Sequence, residues 1–462
     1  MNEWILAAGY WLLADPGSVK HLLNSTPSNQ TISPYKVSVW FHAFRYFCLQ
    51  SQLAMEPTTP ISFENTELAF AYKTDKQLKK AHFLFNMMSK PWLVKIGTRL
   101  APWSIRVGLP VKGMIRSTIF EQFVGGESLE QTATVAKMLG DFNVQVILDY
   151  AVEGKEGEEN FESACTEFVR VINYAATQPN IPFISVKVTG FARFALLEKM
   201  HTLMNKLEGT LMKRYLKAIE ELPADEREEW HRLRHRMMRV CEAAAEKKIS
   251  VSIDAEETWI QDPVDALTIL MMDTFNKTMP IVYNTTQHYR NDRLPFLRDS
   301  LEAAKERNFI LGAKLVRGAY MEKERKRAAE MGYPSPIHLT KEDTDADFDQ
   351  GVKFCIDNID RVSLVVCSHN ERSNMYAAEL LIQKGLPLKN KHVHWSQLFG
   401  MSDNITFNLA HAGCNVSKYL PFGPIGDVIP YLMRRAQENT SVKGQTGREL
   451  GLIEKEVKRR GK

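Results

Sequence analysis

PIVYNTTQHYRNDRLPFLRDSLEAAKERNFILGAKLV, residues 280–316, reads as a strand, a helix and a second strand. PIVYN (280–284) and FILGAKLV (309–316) are short apolar runs rich in β-branched residues, and RLPFLRDSLEAAKER between them carries a helical pattern. Two strands joined through a helix form a parallel β/α unit. The rhythm extends both ways. TIFEQFV (118–124), VQVILDY (144–150), FISVKV (183–188), ISVSID (249–254), SLVVCS (363–368) and HVHWS (392–396) complete eight strand-like runs, most followed by a helix. That count favours an α/β chain folded as a (β/α)8 barrel over an open doubly wound sheet.

The flanks break the rhythm. Residues 1–60 read as a poorly defined extension in which SVKHLLNSTPSNQTISPYK (18–36) is Ser/Thr/Asn-rich, and EPTTPISFEN (56–65) reads as a linker. Residues 61–117 are helical in pattern and form an expected arm. The barrel is expected over 118–445, with residues 195–228 a helical insertion, and 446–462 is a basic C-terminal tail.

Composition narrows the class. Of 462 residues, 59 are basic and 55 acidic, a net charge of +4, which is too balanced to argue for a nucleic-acid partner. The six cysteines are scattered without a CxxC pair, so neither a disulfide frame nor a zinc site is indicated. WILAAGYWLLA (4–14) is too short to span a bilayer, and no basic segment precedes it as in an export signal.

In a (β/α)8 barrel the active site forms at the C-terminal ends of the strands. There the sequence places Glu127, Asp149, Lys187, Asp254, Asn284 with Gln287, Lys314 with Arg317, Ser368–His369–Asn370, and Ser396–Gln397. Ionisable groups at so many strand ends are costly to desolvate without a ligand, so they mark a functional mouth. Lys187, Lys314, Arg317, Arg434 and Arg435 are cationic, which suits phosphates and a carboxylate. His231 and His235 share an i, i+4 spacing but lack the HExxH glutamate and read as a solvated helix face. No metal site is indicated. GxGxxG after a strand, GxxxxGK[ST] and GxSxG are all missing. The residues alone describe a barrel enzyme for a phosphate-bearing cofactor and a small anionic substrate.

IDAEE (253–257), KLVRGAY (314–320), SHN (368–370), LFGM (398–401) and YLPFGP (419–424) followed by YLMRRAQEN (431–439) together resemble the flavin-dependent proline dehydrogenases. The similarity runs in order from about residue 60 to about 445. It implies a distorted TIM-type barrel with an N-terminal helical arm, and with the last helix placed over the barrel mouth. It also implies noncovalent FAD, and oxidation of L-proline to Δ1-pyrroline-5-carboxylate with electrons passed to a quinone.

Carried onto this chain, the resemblance makes Arg434 and Arg435 the clamp for the proline carboxylate. Lys187 and Asp254 match pocket residues beside the flavin. Tyr320, Leu398, Tyr419 and Tyr431 match the walls around the proline ring, and Glu127 a gate that pairs with an arginine. Apart from the resemblance, Glu438 lies four residues beyond Arg434, a spacing that lets it orient that arginine along the helix. Asp254, Asn284, Gln287, Lys314, Arg317, Gly318, Ala319, Ser368, His369 and Asn370 match cofactor-binding positions. Asn284 and Lys314 stand where some bacterial relatives have glutamine and arginine. Tyr419 leaves little room for a 4-hydroxyl, which favours proline over hydroxyproline.

A chain occupied by arm and barrel is expected to be monofunctional, with a separate pyrroline-5-carboxylate dehydrogenase acting downstream. Its expected place is cytoplasmic with peripheral contact to the inner membrane, or the mitochondrial inner membrane or matrix if the chain is eukaryotic. Three other readings stay open: hydroxyproline dehydrogenase, a flavin-free Schiff-base enzyme using Lys187, and a barrel that only binds a metabolite.

Overall fold

Eight parallel strands close into a barrel in the order of the sequence. The computed structural model describes residues 61–106, 112–151, 156–441 and 445–461. The expected extension 1–60 lies outside them.

The strands are β1 (Gln145–Tyr150), β2 (Phe183–Val186), β3 (Ser250–Ile253), β4 (Val282–Gln287), β5 (Leu311–Val316), β6 (Val362–Cys367), β7 (Val393–Leu398) and β8 (Val416–Phe422). Closure is between β1 and β8, in register from Gln145 opposite Ser417 to Tyr150 opposite Phe422.

Successive side chains on each strand point to opposite faces, and the residues divide accordingly into two apolar sets. Ile147, Phe183, Tyr283 and Val365 fill the barrel interior, with Cys367 and Tyr419 against them. Phe183 packs edge-on to Tyr283 at 5.2 Å and lies 5.0 Å from the ring of His394. Their neighbours Ile184, Val251, Val282, Ala313, Leu364 and Val366 face outward into the larger core beneath the helices.

The helices of the arm are α1 (Thr66–Phe70), α2 (Asp75–Met88) and α3 (Pro91–Arg106). After α4 (Thr132–Gly140), the barrel helices follow their strands. They are α5 (Glu158–Ala175), then α6 (Phe194–Met204), α7 (Leu211–Glu221) and α8 (Ala224–Lys247) between β2 and β3, and α9 (Thr258–Phe275) and α10 (Arg293–Glu306). Beyond β5 come α11 (Met321–Met331), α12 (Lys341–Asp357), α13 (Glu371–Gln383), α14 (Asp403–His411), α15 (Ile429–Ser441) and α16 (Gln445–Arg459).

Two expectations about elements are corrected. The first concerns TIFEQFV (118–124), which is helical: a π-helical turn over Arg116–Phe120 runs into an α-turn over Glu121–Phe123. Its buried residues Phe120, Phe123 and Val124 follow a helical spacing and join the arm's apolar cluster with Phe70 and Phe85. The eighth strand is VSKYLPF instead, where Lys418 and Pro421 mask the strand pattern.

The second concerns the expected tail 446–462, which forms α16. That helix buries Glu449, Leu452, Ile453 and Glu456 against the arm. The arginine-bearing helix α15 is therefore not the last one.

LFGM makes its turn at Gly400, with φ of 79°, and a Cβ there would come within 2.0 Å of Gln122 O. Only glycine fits both demands. The turn thereby locks the segment before Glu127 onto the end of β7.

Candidate active site

The C-terminal ends of β1, β2, β3, β5 and β8 converge on one carboxylate. Lys314 Nζ lies 2.5 Å from Asp254 Oδ1, and Tyr419 donates its hydroxyl to Asp254 Oδ2 at 2.9 Å. Lys187 Nζ sits 3.6 Å from Asp254 and 3.7 Å from Asp149. Burial opposes ionisation of Asp254, but the ammonium groups of Lys314 and Lys187 outweigh it and hold the carboxyl at about 2. Burial, reinforced by the charges of Asp149 and Asp254, keeps the Tyr419 phenol well above its ordinary range. Two lysines balance two aspartates, so this floor is neutral in sum. The Lys314 ammonium also lies 5.3 Å from the centre of the Tyr419 ring.

Around β5 and β6 lies a second group. Arg317 binds Asp345 at 2.7 Å and donates to the hydroxyls of Ser368 and Ser373 at 2.9 Å each, with its guanidinium 4.3 Å from the Phe348 ring centre. Ser368 Oγ accepts the N–H of Asn370 at 3.0 Å, and the Asn370 side chain caps α13 by accepting the N–H of Ser373. Ser368 and Asn370 thus build the turn itself. His369 Nδ1 is 2.8 Å from Ser402 Oγ. Burial, helped by Lys418, Arg435 and Arg317, lowers the His369 imidazole to about 3, so it is neutral. Gly318 takes φ of 91° and, like Ala319, is exposed.

Helix α15 supplies the upper level. The guanidinium of Arg435 stacks 5.2 Å from the ring of Tyr431, one turn earlier. Burial first, then Glu256, raises the Tyr320 phenol, and the charge of Arg434 acts against them. Arg434 therefore lies within electrostatic range of Tyr320 beyond β5, as Arg435 does of His369 beyond β6, and the helix spans the mouth between them. Leu398 and Tyr431 belong to the same apolar cluster as Phe123 and Leu432. Glu438 lies outside the described side chains.

One expected residue stands apart from this convergence. Asn284 is turned away from the barrel interior: its amide donates to Asp265 of α9 at 2.9 Å, and Asp265 in turn binds Arg293 of α10 at 2.7 Å. It is corrected to a support between sheet and helices. The interior-facing end of β4 belongs to Gln287, which donates to Glu256 O at 2.6 Å. Glu127 does reach the mouth, because Gly125 N–H donates to Pro421 O and Gly423 N–H to Gly126 O, stitching the turn to the end of β8. Its carboxylate is held by Arg116, with Nε at 2.6 Å.

Sequence reasoning noted Asp149 but did not count it in the site, and it missed Arg116. Asp149 was legible as the charged end of an apolar strand. Arg116 lies two residues before the segment expected as a strand, at the start of the π-helical turn that replaces it. His231 and His235 are exposed on α8, and His394 is an interior histidine bonded to Ser417 Oγ at 2.9 Å. A separate cleft of about 720 Å³ opens beside Glu158, Glu159, Glu162 and Glu167, and its acidic wall disfavours a phosphate or carboxylate ligand.

A family model described as proline dehydrogenase matches residues 132–448. The chain belongs to the proline dehydrogenase family. Membership places it among oxidoreductases acting on a CH–NH group. Proline dehydrogenase 1, mitochondrial, of Dictyostelium discoideum is 31% identical over 381 residues, an alignment covering 76% of this chain and 66% of that protein. Hydroxyproline dehydrogenase of Xenopus laevis is 29% identical over 422 residues, covering 85% of this chain and 88% of that protein. In structure, the chain is similar to proline utilization A (PutA) from Bdellovibrio bacteriovorus inactivated by N-propargylglycine. The TM-score is 0.62 at 19% identity, covering 81% of this chain and 38% of that chain. At that identity the likeness speaks to the fold alone, and the chain spans less than two thirds of the length of the PutA protein.

Proposed function

We propose that this protein oxidises L-proline to Δ1-pyrroline-5-carboxylate, the first step of proline catabolism, with FAD as its cofactor and a quinone as electron acceptor. The observation that carries the reading is the two-level charge pattern. Below, Lys187, Lys314, Asp149 and Asp254 cancel; above, Arg434 and Arg435 bring adjacent positive charge to the mouth. A small substrate with one carboxylate and a ring suits that arrangement.

The donor set fits FAD. Lys314, Arg317 and the neutral imidazole of His369 lie on the β5–β6 side, where the N-terminus of α13 favours an anion. Gly318 leaves open space where a side chain would stand. Lys314, Arg317 and His369, with Gln287, are the residues that would hold the group. The chemistry that bound FAD would supply is acceptance of a hydride from the ring carbon next to nitrogen.

The chain's own part is positioning and charge. Arg434 and Arg435 grip the carboxylate, each from its own flank of α15, since adjacent helical residues point about 100° apart. Tyr431 and Leu398 wall the ring. Asp254 is too weak a base at neutral pH to take the ring nitrogen's proton, and serves to anchor both lysines. With its phenol tied to Asp254, the Tyr419 ring stays over the place where a 4-hydroxyl would project, which favours proline. A Schiff-base role for Lys187 is disfavoured, because an ammonium between two carboxylates is not the free amine that chemistry needs.

We place the quinone encounter at a membrane surface. The arm leaves Phe83, Trp92 and Ile96 exposed, within a stretch (76–120) that holds nine basic and no acidic residues. Among the described residues no helix is long and apolar enough to cross a membrane.

The test is the anaerobic visible spectrum of the purified protein. A flavin band that bleaches on adding proline supports the reading. A protein with no flavin band, unable to take up FAD, refutes it.

A further inference from the structure

Ser402, which opens helix α14, departs from the usual behaviour of a serine in that position. A serine before a helix ordinarily adopts extended backbone and caps the first turn with its hydroxyl. Ser402 instead lies in the left-handed region, at φ 50° and ψ 45°, and makes no capping bond. Such a conformation is strained for a residue with a Cβ and persists only where its surroundings enforce it.

The enforcing group is Glu449 of α16. Its Oε1 accepts the Ser402 N–H at 2.5 Å and lies 3.3 Å from Ser402 Oγ. The hydroxyl, released from capping, is 2.8 Å from His369 Nδ1. Glu449 is 5% exposed although its helix is far along the chain from the barrel strands. Around it stand Asp403 of α14, Lys418 of β8, and Tyr72 and Lys73 of the arm. Tyr72 and Lys418 bind Asp403, at 2.6 and 2.9 Å. Asp403 thus has two partners of its own, and Glu449 is left to Ser402.

We propose that Glu449 is a positioning residue for the cofactor side of the mouth: by holding Ser402 in the left-handed turn, it aims the Ser402 hydroxyl at His369 and fixes the orientation of that imidazole. The inference rests on the reading of His369 as an FAD contact. It makes the C-terminal helix part of the site, because loss of one carboxylate on α16 releases a ring at the end of β6. Glutamine keeps an oxygen acceptor for the Ser402 N–H, whereas alanine keeps none.

The experiment measures FAD affinity of the full chain by titrating the apoprotein with FAD. Glu449→Ala weakens binding about tenfold, equivalent to ~1.4 kcal/mol, and Glu449→Gln stays within about twofold of the parent. On a His369→Ala background, Glu449→Ala adds less than about twofold, because the two act through one contact. Equal losses in both backgrounds overturn the proposal, since Glu449 then acts by stabilising α16 and not through His369. If Glu449→Ala does not fold, Ser402→Ala takes its place, with the same expected loss and the same non-additivity; an additive loss again overturns it. A second readout needs no FAD. In 15N-histidine-labelled apoprotein the His369 ring resonances shift in Glu449→Ala or Ser402→Ala, and unmoved resonances overturn the proposal. Wild-type protein that binds no FAD while these resonances do shift refutes the cofactor reading and leaves the Glu449–Ser402–His369 linkage standing.

Discussion

Tyr419 donates its hydroxyl to Oδ2 of Asp254 at 2.9 Å, while Lys314 binds the other oxygen of that carboxylate. The bond ties the aromatic wall of the pocket to its charged floor, so one residue sets both shape and electrostatics. Tyr419→Phe keeps the ring and is expected to lower kcat/KM for proline less than about tenfold. Tyr419→Ser removes the ring and is expected to raise the ratio of hydroxyproline to proline kcat/KM at least about tenfold, by relieving a steric penalty. Steady-state kinetics on both substrates check this. An unchanged ratio in Tyr419→Ser counts against the wall assignment.

Asp254→Ala removes the carboxylate that binds the buried Lys314 ammonium at 2.5 Å and lies 3.6 Å from that of the half-buried Lys187. Breaking a buried ion pair on one side costs about 3–5 kcal/mol, so a clear drop in Tm is expected together with loss of proline oxidation. Thermal melts and dye-linked assays report both. A variant with full activity shows that the floor is dispensable.

The clamp is tested at Arg434 and Arg435. Replacing either with Met removes a charge-assisted contact worth about 1.5–3 kcal/mol, so KM for proline is expected to rise roughly 10- to 150-fold while the flavin stays bound. Unchanged KM in both variants sinks the assignment.

The pH dependence of stability has two opposed contributions. Asp254 has a folded-state pKa of about 2, below its usual 3.8. The stability it adds is present above 3.8 and is lost as pH falls through 2. Glu449 is raised from 4.5 to about 7, chiefly by burial and then by Asp403. Its stabilising protonated form is fully present below 4.5 and is lost as pH rises through 7. Between pH 5 and 8 the wild type is therefore expected to lose stability relative to Glu449→Gln, by on the order of 2–3 kcal/mol. Urea midpoints across that range decide it, and parallel curves refute the assignment.

Lys418 is fully buried on the outer face of β8, bonded to Asp403 at 2.9 Å and to Met401 O at 2.5 Å. Lys418→Met alone leaves Asp403 its Tyr72 hydrogen bond but not the Lys418 ammonium, at an expected cost of about 3–5 kcal/mol, and the double change with Asp403→Leu is expected to recover part of it. Denaturant unfolding of both proteins makes the comparison. A double variant less stable than the single one shows that the pair is net stabilising.

Much of this was legible in the one-dimensional pattern. Strand ends that break from apolar runs into Asp149, Asp254, Lys314 and Arg317 announce a mouth, because charge at the end of a buried strand must meet a partner or a ligand. The failures share a cause, which is phase. Asn284 and Gln287 both sit near the end of β4, and only the barrel's register shows that one faces Asp265 and the helices while the other faces the interior. TIFEQFV has strand-like composition but buries its residues at helical spacing. VSKYLPF hid a strand behind Lys418, whose charge is neutralised by Asp403, a partner fifteen residues earlier in the chain.

The sequence by itself determined the β/α rhythm and the charged ends of its strands, because periodicity and composition act locally, but it reached eight strands only by counting the helical TIFEQFV in place of VSKYLPF. The tertiary structure alone decided that Asp254 carries two lysines and a phenol, that Arg116 holds Glu127, and that Glu449 reaches Ser402. Arg116 and Glu127 are only eleven residues apart, but the other pairings join segments far apart in the chain, which closure of the barrel and the packing of α16 against the arm bring within hydrogen-bonding distance.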